Sequence, residues 1–285
     1  MRSLDIVIFK NSRRRDERIG VSSSEKLFSA LAFAVVFAFF AIIMIGISGY
    51  VTRRLDEFEQ TYAFINILLL INFFILFTKS IFESLNVLFF SKDLKILLRM
   101  PIRAIDILNS KLKNMIISEY LTEILMLAIP MVVYGTYIKV GILFYLYMIG
   151  ILVILPIIPI MITSLIIAII MRFTNLIKNK SKSMYITIIF TTLIVGILIG
   201  LFNSNSGVST SGFKDAVLVA NGLAESISDF FVLIKPSMNI LLNYNNLKGL
   251  TNFILYVAES IVVYVAILWI MSTIYLKGAK RNNNK

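Results

Sequence analysis

The chain contains no cysteine and no histidine. Their absence excludes disulfides, thiol nucleophiles, zinc sites of the usual Cys/His kind, His-ligated haem and any Ser-His-Asp triad. Charge is also scarce: 15% of the 285 residues are charged, against about a quarter in an average soluble domain. No G-x-x-x-x-G-K-S/T phosphate loop occurs, and no internal repeat or coiled-coil pattern is visible. What the chain has instead is apolar residues, 58% of the total. A soluble fold of this size could not hide so much apolar surface in one core. Several uninterrupted runs reach the roughly 20 residues that cross a bilayer as a helix. A β-barrel would need segments of about 10 residues with alternating polarity, and the runs here are long and continuous. Because lipid cannot satisfy a bare backbone, such runs must be helical. The expected fold is an all-α polytopic membrane protein forming one domain over residues 1–285.

Six spans are expected, at about Leu27–Val51, Tyr62–Phe82, Asn114–Ile138, Ile142–Met171, Met184–Phe202 and Phe253–Leu276. The first is too long and begins too late for a cleavable signal peptide. Pro156 and Pro159 lie inside the fourth and remove backbone donors, which predicts a kink. Between the fifth and sixth spans, Asn203–Gly207 reads as a polar linker. Phe213–Ile234, interrupted by Lys214, Asp215, Asn221, Glu225 and Asp229, reads as an amphipathic or shallow helix.

The formal charge is +12. Its distribution points to membrane orientation rather than to nucleic acid. Loops and termini on one side of the six-span topology hold 21 Lys and Arg, those on the other hold 6, and Lys79 lies within the second span. The positive-inside rule then places both termini in the cytoplasm. It puts Glu83–Lys113 inside and Asn203–Asn252 outside. Tyr134, Tyr137 and Tyr145 would form an outer aromatic belt, with Tyr185 and Tyr275 at the inner interface.

An ionisable group inside a membrane is costly and is a functional candidate by default. Glu119 and Glu123 lie one turn apart on the third span, and Glu259 lies in the last. They could bind a cation, relay protons or contact a polar substrate. Alternatively, Glu119 and Glu123 reach headgroups or Lys113 near the inner surface. Lys79 and Glu83, spaced i,i+4, read as a helix-surface ion pair. An aspartyl protease would need two embedded aspartates, and every Asp falls in a loop or terminus; no metal site is indicated.

The stretch FFSKDLKILLRMPIRAIDILNSKL, from Phe89 to Leu112, carries the most information. Ser91 can cap a helix starting at Lys92, with Asp93 in its first turn. Leu94, Leu97 and Leu98 then form an apolar stripe, and Pro101 halts the helix. Ile102–Lys111 could start another helix. Such a helix either lies on the lipid surface or docks into a partner.

This stretch resembles the signature after the second span of bacterial ABC-exporter permeases, the type-2 ABC transporter membrane subunits. Leu233-Ile234-Lys235-Pro236-Ser237-Met238 is similar to that family's proline motif before its last span, and Tyr275-Leu276-Lys277-Gly278 to its Y-x-K-G. The resemblance implies six helices with an outer amphipathic element between the fifth and sixth. It also implies that Ser91, Lys92, Asp93, Leu94, Leu97, Leu98 and Pro101 form a cytoplasmic coupling helix against a separate ABC ATPase subunit, which would hold the ATP and Mg. Many relatives are about twice as long and continue past the Y-x-K-G. The chain would therefore be a half-size member acting as a homodimer or with a second permease, or a truncated product. Against this exporter reading stand an ion- or proton-driven carrier using the three glutamates, and a non-transporting anchor or sensor. The substrate is not legible in the sequence.

Overall fold

A computed structural model describes residues 23–91, 93–97, 100, 102–173, 192, 213–230 and 234–283. Among them there is no strand. The helices are α1 (Ser23–Glu57), α2 (Tyr62–Ser84), α3 (Leu94–Leu97), α4 (Ala104–Glu123), α5 (Ile129–Ile138), α6 (Ile142–Ile154), α7 (Ile157–Phe173), α8 (Phe213–Phe230), α9 (Ile234–Leu242) and α10 (Leu247–Asn283). Five helical segments are long and apolar enough to cross a membrane: Leu27–Glu57, Tyr62–Phe89, Ala104–Ile138, Ile142–Arg172 and Leu247–Tyr275. They match the first four expected spans and the last. The remaining expected span, Met184–Phe202, and the linker Asn203–Gly207 lie outside the described residues.

Two boundaries differ from the sequence reading. The third span does not begin at Asn114, and Ile102–Lys111 is not a separate helix. One helical path runs from Ala104 to Ile138. Asn109 and Lys111 do not break it because each finds a partner on another segment: Tyr264 hydroxyl donates to Asn109 at 2.5 Å, and the Lys111 ammonium donates to the Val87 carbonyl at 2.7 Å. A π-turn at Ile124–Ala128 separates α4 from α5. It ends two residues before Pro130, whose ring nitrogen has no hydrogen to donate to the helix. The fourth span breaks as expected, with α6 ending at Ile154 and α7 starting at Ile157 around Pro156.

Helices α2, α4, α7 and α10 pack side by side, with α8 and α9 against α2 and α1 against α5. Two apolar clusters result. The first gathers Leu55, Phe64, Tyr134, Phe144, Met238 and Tyr256; Phe64 and Tyr134 stack with ring centroids 5.4 Å apart. The second gathers Leu88, Phe89, Leu94, Leu108, Met171 and Tyr275 at the opposite end of α2. The outward faces stay apolar, with Phe28, Phe39 and Ile42 of α1 and Ile254, Val262, Val265 and Trp269 of α10 exposed. A helix that is apolar on every side belongs in lipid. Tyr134 and Tyr275 are buried in these clusters, so the expected aromatic belt does not include them. Tyr185 lies outside the described residues.

Helix α8 covers most of the segment Phe213–Ile234. Val217, Asn221, Ala224 and Ile227 are buried, while Leu218, Gly222, Glu225 and Ser226 are exposed. The buried positions recur three and four residues apart, the spacing of one helix face.

Candidate functional site

Between the two apolar clusters lies a layer of polar side chains on α2, α4, α7 and α10. Glu119 and Glu123 are both fully buried, at 0% and 1% exposure. They do not reach headgroups, and the contacts that hold them come from α2. Lys79 Nζ donates to Glu119 Oε2 at 2.8 Å and to Thr122 Oγ1 at 2.6 Å. Asn72 Nδ2 donates to Glu123 Oε2 at 2.9 Å. Lys79 therefore does not pair with Glu83 along its own helix, as the i,i+4 spacing suggested. Glu83 instead accepts a hydrogen bond from the Ser118 hydroxyl at 2.5 Å. The reason is burial. Glu119 would be an uncompensated charge in the interior without Lys79, whereas Glu83 lies on a less enclosed face and is served by a hydroxyl.

Helix α7 joins the layer through Ser164, whose hydroxyl lies 2.9 Å from that of Ser84. Helix α10 contributes Tyr256 and Glu259. The Tyr256 ring is completely buried and lies within electrostatic reach of both Glu123 and Glu259. Its hydroxyl, Glu259 Oε2, Glu123 Oε1, Glu119 Oε1 and Asn72 Oδ1 have no hydrogen-bond partner among the described residues. Buried polar atoms are normally paired, so this concentration of unpartnered polar atoms makes the layer a candidate site. The structure thus brings Glu119, Glu123 and Glu259 into one region. Asn72, Lys79 and Tyr256 complete it. Asn72 was legible only as an amide inside an apolar run.

The second element is the loop that leaves α2. A π-turn, Leu85–Phe89, closes the helix, and the Phe90 amide donates to the Leu85 carbonyl at 3.2 Å. The last carbonyls of a helix have no partner within it. Here two side chains from other helices supply one. Lys111 of α4 donates to Val87 O, and Tyr275 of α10 donates from its hydroxyl to Leu88 O at 2.8 Å. Lys111, only 2% exposed, also donates to Ser91 Oγ and stands 3.5 Å from Asp93 Oδ2. The loop is therefore clamped to α4 and to α10 at once.

This geometry revises the helix expected to start at Lys92. Ser91 does not use its hydroxyl as an N-cap, because that oxygen accepts from Lys111. The described part of that helix is Leu94–Leu97. Leu94 and Leu97 are buried, at 1% and 6% exposure, in the second apolar cluster. They anchor the loop inward rather than projecting from it. Met100 and Arg103 are exposed, and Arg103 Nε pairs with Asp106 Oδ2 at 3.0 Å. Lys92, Leu98 and Pro101 lie outside the described residues.

A family model described as "putative ATP-binding cassette" matches residues 25–285. The chain belongs to that family. No curated protein and no solved structure matches the chain. Membership ties the chain to ABC transporters, and its five long apolar helices make it a membrane protein. The family is described by an ATP-binding module, whereas this member carries neither a phosphate loop nor, among its described residues, any strand.

Proposed function

We propose that the chain is the membrane permease subunit of an ATP-driven exporter, working with a separate ATPase subunit. It would sit in a bacterial plasma membrane with both termini cytoplasmic, as the 21 to 6 distribution of basic residues favours. Six spans would complete the permease, α8 would be its outer amphipathic element, and a homodimer or a second permease would supply the other half. ATP and Mg would be held by the partner.

The observation that carries the reading is the doubly clamped loop. A loop pinned by Lys111 and Tyr275 passes a displacement on to α4 and α10 as long as those hydrogen bonds hold. That is what a coupling element requires: a push on the loop from an ATPase must arrive at the membrane helices. In this arrangement Leu94, Leu97, Ser91 and Asp93 transmit the push, and the exposed Met100 and Arg103 are among the residues that receive it.

The test is co-purification of the tagged protein from its own membrane, with mass spectrometry of its companions. An ABC ATPase subunit is expected, and Met100→Glu with Arg103→Glu should release it while insertion is unchanged. If the ATPase remained bound to the double variant, the loop would not be its dock.

The buried carboxylates favour a second reading, an ion- or proton-driven carrier built on Glu119, Glu123 and Glu259. It requires flux in ATP-free vesicles driven by an imposed ion or proton gradient. Absence of such flux removes it.

A further inference from the structure

We propose that a cavity between α1, α2 and the α4–α5 path binds an amphiphile with one apolar tail and a positively charged, hydrogen-bond-donating head, such as an alkylamine. The cavity measures about 270 Å³. Apolar side chains form most of its wall, among them Met44 and Val51 of α1, Ile67 and Ile71 of α2, and Met126 beside the π-turn. Two polar residues, Ser48 and Asn72, also line it. Ser48 is spent within its own helix, donating to the Met44 carbonyl at 2.6 Å. Asn72 is different. It is 1% exposed, its amide nitrogen holds Glu123, and its amide oxygen is a buried acceptor with no partner among the described residues. A ligand that brings a donor to this oxygen removes the penalty of leaving it unpaired.

A second acceptor selects among donors. Behind Asn72 stands Glu123, held by an amide rather than by a cation, while Lys79 is committed to Glu119. Asn72 Oδ1 and Glu123 Oε1 both lack a partner among the described residues, so the site favours an ammonium head, which brings three donors, and opposes a carboxylate head, which brings only acceptors. The apolar walls take the tail, and the combination excludes ligands that are polar throughout. Calling the amphiphile cargo rests on the exporter reading; its binding here does not.

The probe is dodecylamine carrying a diazirine in its tail, photolysed with the full-length protein in phosphatidylcholine nanodiscs, followed by peptide mapping. Label should concentrate in Met44–Leu55 and Phe64–Ile75. An excess of unlabelled dodecylamine should reduce it about tenfold, and the same excess of dodecanoic acid should not. Asn72→Leu should remove the focused label. Because that variant also frees Glu123 and could misfold, Ile67→Trp, which fills the cavity and leaves the Asn72–Glu123 bond in place, is measured beside it and should remove the label too. Label spread evenly over the exposed face of α10, or competed equally by amine and acid, would mean ordinary lipid contact and overturns the proposal. So would focused label that survives Ile67→Trp. The two readings fail separately: loss of the ATPase companion leaves focused labelling intact, and diffuse labelling leaves the ATPase bound.

Discussion

Replacing Lys111 by Met removes the clamp on the loop after α2 while keeping most of the apolar stem that fills the space around it. The ammonium has three donors. One is used on the Val87 carbonyl at 2.7 Å, one on Ser91 Oγ, and one faces Asp93 at 3.5 Å. Asp93 is 39% exposed, so its long ion pair contributes only a few tenths of a kcal/mol. A hydrogen bond from a charged donor contributes about 1.5–3 kcal/mol net. The Val87 and Ser91 bonds share one side chain and are not additive, and Tyr275 still holds the neighbouring carbonyl. Lys111→Met should therefore favour opening of the loop by about 2–3 kcal/mol. Trypsin reads this directly, since Lys92, Lys95 and Arg99 lie in the segment. When cleavage is slow relative to reclosing, its rate follows the open population. The expected acceleration is about 30- to 150-fold at constant temperature, seen as a split between α2 and α4. A rate within about twofold of the parent would refute the clamp, because the two bonds would then contribute nothing to holding the loop.

Tyr275→Phe removes one neutral hydrogen bond, to Leu88 O at 2.8 Å, and should loosen the same loop by about 1 kcal/mol, or roughly fivefold in cleavage rate. Lys79→Met leaves Glu119 buried without its cation. The cost should be about 2–3 kcal/mol in a detergent unfolding assay, below that of a fully enclosed pair because Lys79 is 43% exposed. The double variant Lys79→Met with Glu119→Gln should recover most of that loss, and a loss equal to the sum of the singles would show that the two side chains are not coupled. Gly249→Ala should destabilise the junction of α9 and α10 by about 1–3 kcal/mol, since a Cβ there would collide with the backbone carbonyl of Asn243. A melting temperature matching the parent would mean that the junction relaxes freely.

The membrane class and five of the spans were legible because hydropathy is a property of contiguous residues, and hydrogen-bond closure in lipid converts it into helices. The break in Ile142–Phe173 was legible for a similarly local reason, since Pro156 lacks a donor. What the sequence could not show is pairing between segments. Lys79 is four residues from Glu83, and local spacing suggested that pair; its partner, Glu119, is 40 positions away. Ser91 has the position of an N-cap, yet Lys111 takes its hydroxyl. Leu94 and Leu97 form an amphipathic stripe, but the stripe does not say whether it faces a partner or the chain's own core. Burial against Leu108 and Tyr275 decides that. Glu119, Glu123 and Glu259 stood out as ionisable groups in apolar runs. Asn72 gave a weaker signal of the same kind, an amide among Leu, Ile and Phe.

The polar layer also bears on which helix can move. Lipid tails are as apolar as Leu, so apolar contact alone holds membrane helices together weakly, and polar contacts fix their register. Helices α2 and α4 are tied by Lys79–Glu119 and Asn72–Glu123, α2 and α7 by Ser84–Ser164, and α4 and α10 by Asn109–Tyr264. The stretch of α1 from Met44 to Glu57 is different. Ser48 and Arg54 turn their hydrogen bonds back onto their own helix, at Met44 and Glu57. Leu55 and Val51 join the first apolar cluster by packing alone. Along this stretch α1 is thus a wall whose displacement breaks no polar tie to other helices among the described residues, and it is the wall of the cavity that ends at Asn72. Parting α1 from α2 along this stretch therefore breaks apolar contacts alone, whereas the facing wall on α2 is tied to α4 through Asn72–Glu123.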